Sequence, residues 1–146
     1  MPRFMKMLNN ISRSQSGYRV KRLESEGLSA AHMPFILSIC RAPGRSQEEI
    51  AQDLCLDKST VARALVRLEE NGFVRRVSSQ ADRRRLTVEP TKRALEVLPK
   101  IKAVSSEWQE LLTDGIDAAE LDAFYSVLVK MESRAKAIAG EVSDLT

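Results

Sequence analysis

Between Ser46 and Gly72 the sequence SQEEIAQDLCLDKSTVARALVRLEENG carries two helix starts in quick succession. Ser46, Gln47, Glu48 and Glu49 form a capping box, in which the Ser hydroxyl and the Glu carboxylate each satisfy a backbone amide of the first turn. The helix that follows turns Ile50, Ala51 and Leu54 inward. After CLD, Asp57 is an N-cap for a longer helix, and Gly72 closes it in a left-handed conformation. Val61, Leu65 and Leu68 recur on that second helix at spacings of four and three and make its buried stripe. Lys58, Ser59, Thr60, Arg63 and Arg67 lie on the faces left free. A short capped helix, a tight turn and a helix rich in small polar residues and arginine is the layout of a helix-turn-helix. Its second helix enters the major groove of double-stranded DNA. Ser59 and Thr60 at the amino end can bond phosphates or base edges, and Arg63 and Arg67, one turn apart, can reach guanine edges or the backbone. The alternative reading is a surface amphipathic helix with ordinary positive charge.

The chain continues directly into a hairpin. Phe73 to Val77 is rich in β-branched residues and Leu86 to Glu89 alternates apolar with polar, so two short strands flank the tip SSQADRRR. Arg83, Arg84 and Arg85 repel one another there. Phosphates would offset that repulsion, and an arginine on a narrow ribbon can enter the minor groove where A·T-rich sequence narrows it. Asp82 is close enough to orient one of the three by a paired hydrogen bond and leave another for DNA. A solvated loop is the plainer alternative.

Charge supports the first reading. Residues 58 to 93 carry ten Lys or Arg against four Asp or Glu, while residues 96 to 146 carry five basic against ten acidic. A basic middle with an acidic end points to a polyanionic partner for the middle. With 146 residues, 43% hydrophobic and 29% charged, the chain has ordinary globular composition and can bury a core. No apolar run has the roughly 18 residues of a membrane span, and the start MPRFMKMLNN lacks the features of a signal peptide, so no membrane partner and a cytoplasmic location are expected. Cys40, Cys55 and the single His32 cannot assemble a four-ligand zinc site, and no cofactor is expected. There is no Gly-rich phosphate loop, G-x-S-x-G or H-E-x-x-H, and the adjacent carboxylates Glu48/Glu49 and Glu69/Glu70 diverge on their helices, so an enzyme is not expected.

The flanks are helical. Phe4, Leu8, Ile11 and Tyr18 form a stripe on a first helix from about Pro2 to Glu26, which Gly27 ends. A second helix starts at a Ser29 cap and runs to Cys40, with Pro34 just beyond its first turn. RAPGR then reads as a loop. A long helix from about Thr91 to Leu112 has Leu95, Leu98, Ile101, Val104, Trp108 and Leu111 on one side and a kink at Pro99. Asp117 opens the last helix in a variant capping box with Glu120. Along it Leu121, Phe124, Leu128, Met131, Ala135 and Ile138 make a seam of the kind helices use to pack on one another. Terminal helices this apolar exceed what the globular body can cover, so they are expected to meet a second copy through Phe4, Leu8, Ile11, Leu121, Phe124, Leu128 and Met131. Packing of the two ends on each other is the alternative, and both can hold. A two-fold dimer of this kind predicts a pseudo-palindromic site with half-sites about 10 base pairs apart.

The order of elements, with KSTVARALVRLEENGFVRR followed by DRR and T-x-x-A, resembles the MarR family of transcriptional regulators over nearly the whole chain, most specifically from Ser46 to Thr91. The resemblance implies a mainly α fold with a small two-stranded β wing: a winged helix-turn-helix domain at residues 29–93, an N-terminal dimerisation helix at 1–28 and C-terminal dimerisation helices at 94–146. It implies a homodimer, most often a repressor, whose DNA affinity small molecules or oxidants reduce. Asp82 and Arg84 fall on the family's D-x-R wing motif, where the acid orients and the arginine reaches the minor groove, and Ser59, Thr60 and Arg63 fall on positions that contact DNA. Pro90 and Ala94 stand where the family often has Leu and Gly after the wing. The first helix lacks the reactive Cys of oxidant-sensing members. A small-molecule effector would bind between the dimerisation helices and the winged domain, with Tyr18, Arg22, His32, Phe35 and Trp108 as candidate contacts. Each has a plainer reading as a core, surface or capping residue. Cys55, in the turn before the recognition helix, is a candidate redox residue because the helix dipole and Lys58 would stabilise its thiolate; a compact buried residue in a tight turn is the alternative. Two other classes are compatible with the fold: a winged helix used to bind protein, and an architectural DNA binder without sequence preference.

Overall fold

The computed structural model describes residues 2–143. The elements run α1 (Pro2–Leu23), a 3₁₀ turn (Glu24–Glu26), α2 (Met33–Arg41), β1 (Arg45–Ser46), α3 (Gln47–Leu54), α4 (Lys58–Glu70), β2 (Val74–Ser78), β3 (Leu86–Pro90), α5 (Lys92–Thr113) and α6 (Ala118–Ser143). The chain forms two compact units, one reaching to Trp108 and one beginning at Gln109.

The core of the first unit is the meeting point of the short helices, the sheet and α5. Met33, Ile36 and Ile39 from α2, Ile50 from α3, Val61, Leu65 and Leu68 from α4, Phe73 just before β2, Val74 and Val88 from the sheet, and Val97 and Ile101 from α5 are all buried in one cluster. The expected stripe of α4 is therefore the one that is buried, and its opposite face is left to solvent. Both expected caps at the helix pair form. The Ser46 hydroxyl accepts from the Glu49 amide at 3.2 Å, and the Glu49 carboxylate accepts from the Ser46 amide at 2.7 Å. The Asp57 carboxylate accepts from the Thr60 amide at 2.8 Å.

The wing sheet has three strands rather than the two that alternation shows. Its order is β1-β3-β2, all antiparallel, with Arg45 opposite Val88 and Ser46 opposite Thr87, and with β2 paired to β3 from Val74↔Pro90 to Ser78↔Leu86. A two-residue strand made of Arg and Ser has no alternation to read. It pairs because Gly44, at φ 81°, turns the backbone toward β3 and donates its amide to the Val88 carbonyl at 3.0 Å.

Two boundaries and one buried stripe differ from the periodicity. Ser29 does not cap α2: residues 29–32 form a turn closed by the His32 amide on the Ser29 carbonyl at 3.0 Å, and α2 starts at Met33. Pro34 consequently sits in the first turn of α2, where its missing N–H has no intrahelical partner to lose. α1 gives way to a 3₁₀ turn before Gly27, whose φ of 67° ends the segment. On α5 the buried positions are Ala94, Val97, Ile101 and Val104, while Leu95 is 52% and Leu111 is 63% exposed. The two stripes share Ile101 and Val104. Small Ala94 occupies the packed position, and the larger Leu95 is turned out.

In the second unit Gly115, at φ 75°, turns the chain after α5, and the Asp117 carboxylate accepts from the Ala119 amide at 2.9 Å to open α6.

Replacing Leu65 with Ala is expected to cost about 3 kcal/mol in urea unfolding, because the side chain is fully buried in the core cluster and its loss leaves a cavity there. Val66→Ala, on the open side of the same helix, should change stability by no more than about 0.5 kcal/mol. Ser46→Ala, which removes one half of the capping box, should cost about 1 kcal/mol.

Candidate nucleic-acid interface

The amino end of α4 is ordered by Asp57. Besides capping the Thr60 amide, its carboxylate accepts the Thr60 hydroxyl at 2.6 Å, and that hydroxyl accepts in turn from Arg63 Nη2 at 3.4 Å. Hydrogen bonding from the Thr60 hydroxyl and amide holds the Asp57 carboxyl below its ordinary value, so it stays ionised as a cap. Thr60 is thus half-buried and orients Arg63, while Ser59 is exposed with no side-chain partner among the described residues. Lys58 pairs with Glu48 at 3.1 Å, but the two side chains are 78% and 70% exposed, so the pair is screened and a phosphate can displace it. Arg67 is exposed and lines a shallow cavity of about 320 Å³ with His32, Phe35 and Arg63.

The wing is tied at both ends. At its base Arg76 on β2 grips Glu69 of α4, with Nε–Oε2 at 2.7 Å and Nη2–Oε2 at 2.6 Å. At the tip Asp82 holds no guanidinium among the described residues, contrary to the expected pairing with one of the three arginines. Its carboxylate accepts from the Arg84 backbone amide at 2.9 Å and its carbonyl from the Arg85 amide at 3.0 Å, while the Ser79 amide closes on the Arg85 carbonyl at 2.8 Å. The acid therefore shapes the turn rather than selecting an arginine rotamer. The guanidinium that is paired belongs to Arg85, whose Nη2 lies 3.0 Å from Glu49 Oε2. Arg83 and Arg84 are exposed, with no side-chain partner among the described residues. Arg75, exposed on β2, adds a further cation with no side-chain partner among the described residues, one that the strand pattern alone did not mark.

A polar cluster stiffens the scaffold behind these elements. Asp53 of α3 accepts from the Ser38 hydroxyl at 2.6 Å and from Arg41 Nη2 at 2.7 Å, and Arg45 Nη1 lies 3.3 Å away. Arg45 also donates to the Ser38 carbonyl and hydroxyl, so α2, β1 and α3 meet on one carboxylate. The Ser38 hydrogen bond, reinforced by the charges of Arg41 and Arg45 against partial burial, holds Asp53 below the ordinary carboxylate range. Nothing in the local pattern marks this cluster, since its members come from three elements.

The candidate effector residues separate into two groups. Tyr18 and Trp108 meet with ring centroids 5.4 Å apart, and Arg22 stacks over Tyr18 at 5.9 Å while pairing with Glu107. Hydrogen bonding to Glu107 raises the Tyr18 phenol above its ordinary value, with burial and the Glu107 charge adding to it. Beside them the Arg19 guanidinium, lowered by burial, reaches Ser105 at 3.3 Å and leaves its Nε without a partner. His32 and Phe35 lie instead at α2, ring centroids 6.3 Å apart, against the recognition helix. Burial, with the nearby Arg67 charge, lowers His32. Phe35 is a core residue at 2% exposure.

Cys55 ends α3 in a left-handed conformation, φ 53°, the one non-glycine residue among those described with positive φ. It is exposed rather than buried, its thiol faces the Gln52 carbonyl at 3.8 Å, and Lys58 is engaged by Glu48.

A capped recognition helix beside a basic three-stranded wing defines a winged helix-turn-helix protein. The MarR family profile matches residues 26–85. The HTH-type transcriptional regulator BilQ of Clostridium symbiosum is 26% identical over 109 residues, 75% of this chain and 76% of its own. The crystal structure of MarR superposes with a TM-score of 0.81 at 34% identity, over 94% of this chain and 93% of that one. A protein from Listeria monocytogenes solved complexed with 26mer DNA has the same fold, with a TM-score of 0.89 at 19% identity over 96% of this chain and 93% of its own. The chain belongs to the MarR family of transcriptional regulators.

The Asp53 cluster carries a pH signature. A carboxyl depressed in the folded state stabilises it fully above the ordinary carboxylate value, and that stability is lost as pH falls through the depressed folded value. In urea unfolding followed from neutral pH downward, Asp53→Asn should be less stable at neutral pH and lose less stability on acidification than the parent chain.

Proposed function

We propose that this chain is a dimeric, sequence-specific DNA-binding repressor that works in the cytoplasm, recognises a pseudo-palindromic operator and is released by a small-molecule effector. One observation carries the reading: the open face of a rigidly capped helix presents Ser59, Arg63 and Arg67 beside a wing whose Arg83 and Arg84 have no partner among the described residues. Desolvated or paired arginines would suit a structural role, whereas two unpaired guanidiniums held on a short ribbon suit a minor groove. That a Listeria protein of the same fold was solved complexed with 26mer DNA supports DNA as the partner. No helix among the described residues is long and apolar enough to cross a membrane.

The dimer reading rests on the terminal helices. On α1 Ile11 is exposed and Phe4 and Leu8 are half-buried; on α6, taken by itself, Phe124, Met131 and Ile138 are exposed and Leu121 and Leu128 half-buried, apolar side chains that a second copy would cover. On this reading residues 1–28 and 94–146 serve dimerisation and residues 29–93 bind DNA. The effector reading rests on Tyr18, Arg22 and Trp108, with His32 and Phe35 as a separate group beside the recognition helix. An effector acts by binding more tightly to a dimer whose recognition helices mismatch the groove repeat.

Selection from random duplex DNA at near-physiological salt tests the reading. Enrichment of a pseudo-palindrome of about two helical turns is the expected outcome; tight binding with no enriched sequence would make the chain an architectural binder instead. On the selected site Arg84→Ala should weaken binding and relax any A·T preference beside the half-sites. Lys58→Ala should weaken binding to all sequences alike and reduce the salt slope by about one.

A further inference from the structure

Three adjacent arginines at the wing tip are not equivalent. Arg83 and Arg84 have no side-chain partner among the described residues, but the Arg85 guanidinium is turned back onto Glu49, the same carboxylate that completes the capping box of α3 by accepting the Ser46 amide at 2.7 Å. We propose that Arg85 is a positioning residue: through Glu49 it fastens the tip of the wing to the first turn of α3, so that the wing arginines and the recognition helix meet DNA as one preset unit. The inference rests on the DNA-binding reading and assigns Arg85 a different part in it from its two neighbours.

An exposed ion pair ordinarily contributes little, because two flexible side chains must be immobilised to form it. Here one of the two is immobilised already. Glu49 is fixed by its bond to the Ser46 amide whether or not Arg85 is present, so only the arginine is ordered by the pairing. The Ser46 amide bond, followed by the Ser46 hydroxyl and by Arg85, also holds the Glu49 carboxyl below its ordinary value. Pairing neutralises one of three like charges at the tip, which lessens the repulsion that Arg85 would otherwise exert on Arg83 and Arg84. The attachment also lies where the hairpin most needs it. Its base is held by Arg76 on Glu69 and by the β1–β3 ladder, and without Arg85 the tip beyond Ser78 would be held by its internal turn bonds alone. Presetting a segment before binding lowers the ordering cost of the complex.

The test has one arm without DNA and one with it. In the free full-length protein, hydrogen exchange of the Ser79 and Arg84 amides should quicken in Arg85→Ala and equally in Glu49→Gln, and no further in the double variant. Gln at this position keeps the capping box, so α3 stays folded. On the site selected from random DNA, Arg85→Ala should weaken binding about three-fold per half-site, the scale of a half-exposed pair, with the salt slope unchanged. Placed in the Glu49→Gln background it should cost nothing more. Unchanged exchange in the single variants would overturn the proposal. So would a salt slope lower by about one together with an undiminished loss in the Glu49→Gln background, since Arg85 would then be a phosphate contact like its neighbours. If the parent chain selects no site, the DNA-binding reading fails by itself, and the exchange arm still decides whether Arg85 holds the wing.

Discussion

A helix that reads DNA must be gripped on one side and left unpaired on the other, and every other feature of this chain depends on how Val61, Leu65 and Leu68 achieve that. The three are fully buried against α2, α3, α5 and the sheet, which removes freedom of rotation and translation from α4. Polar residues on the facing side then point outward without a choice of their own. Asp57 sets the first turn and passes its order through Thr60 to Arg63, so the amino end of the helix is fixed by polar bonds as its body is fixed by packing. The arrangement is a division of labour along one helix, with hydrophobic burial supplying the grip and hydrogen bonds supplying the aim.

Carboxylates recur as the joints between elements. Asp53 joins α2, β1 and α3; Glu69 joins α4 to the wing; Glu49 joins the cap of α3 to the wing tip. Each has a guanidinium on it. Asp53, Glu69 and Glu49 thus fix Arg41, Arg45, Arg76 and Arg85 in place, and Arg75, Arg83 and Arg84, which have no side-chain partner among the described residues, are those available to a polyanion. Net charge brings such a segment to DNA, whereas the pattern of pairing decides which cations remain free to touch it.

Local signals made most of the DNA-binding half legible. The capping box at Ser46, the cap at Asp57, the stripe of α4 and the hairpin strands are each set by residues within one or two turns of each other, so spacing alone reveals them. What spacing could not reveal were choices between near-equal alternatives. α5 carries two overlapping apolar stripes, and the neighbours it packs against turned in Ala94 and Val97 rather than Leu95. The start of α2 had a plausible cap in Ser29 and a proline in Pro34, and the proline fixed the first turn.

The sequence by itself determined that the middle of the chain is a winged helix-turn-helix with a basic surface, because capping, periodicity and charge act through neighbours a few residues apart. Tertiary structure alone decided the third strand, the carboxylate joints and the fate of each wing arginine. A two-residue strand exists only by pairing with β3, some forty residues away. Arg85 differs from Arg83 and Arg84 only because Glu49, distant in the sequence, is brought within 3.0 Å of it. Three identical side chains in a row carry no information about which will be paired, and only the folded backbone supplies it.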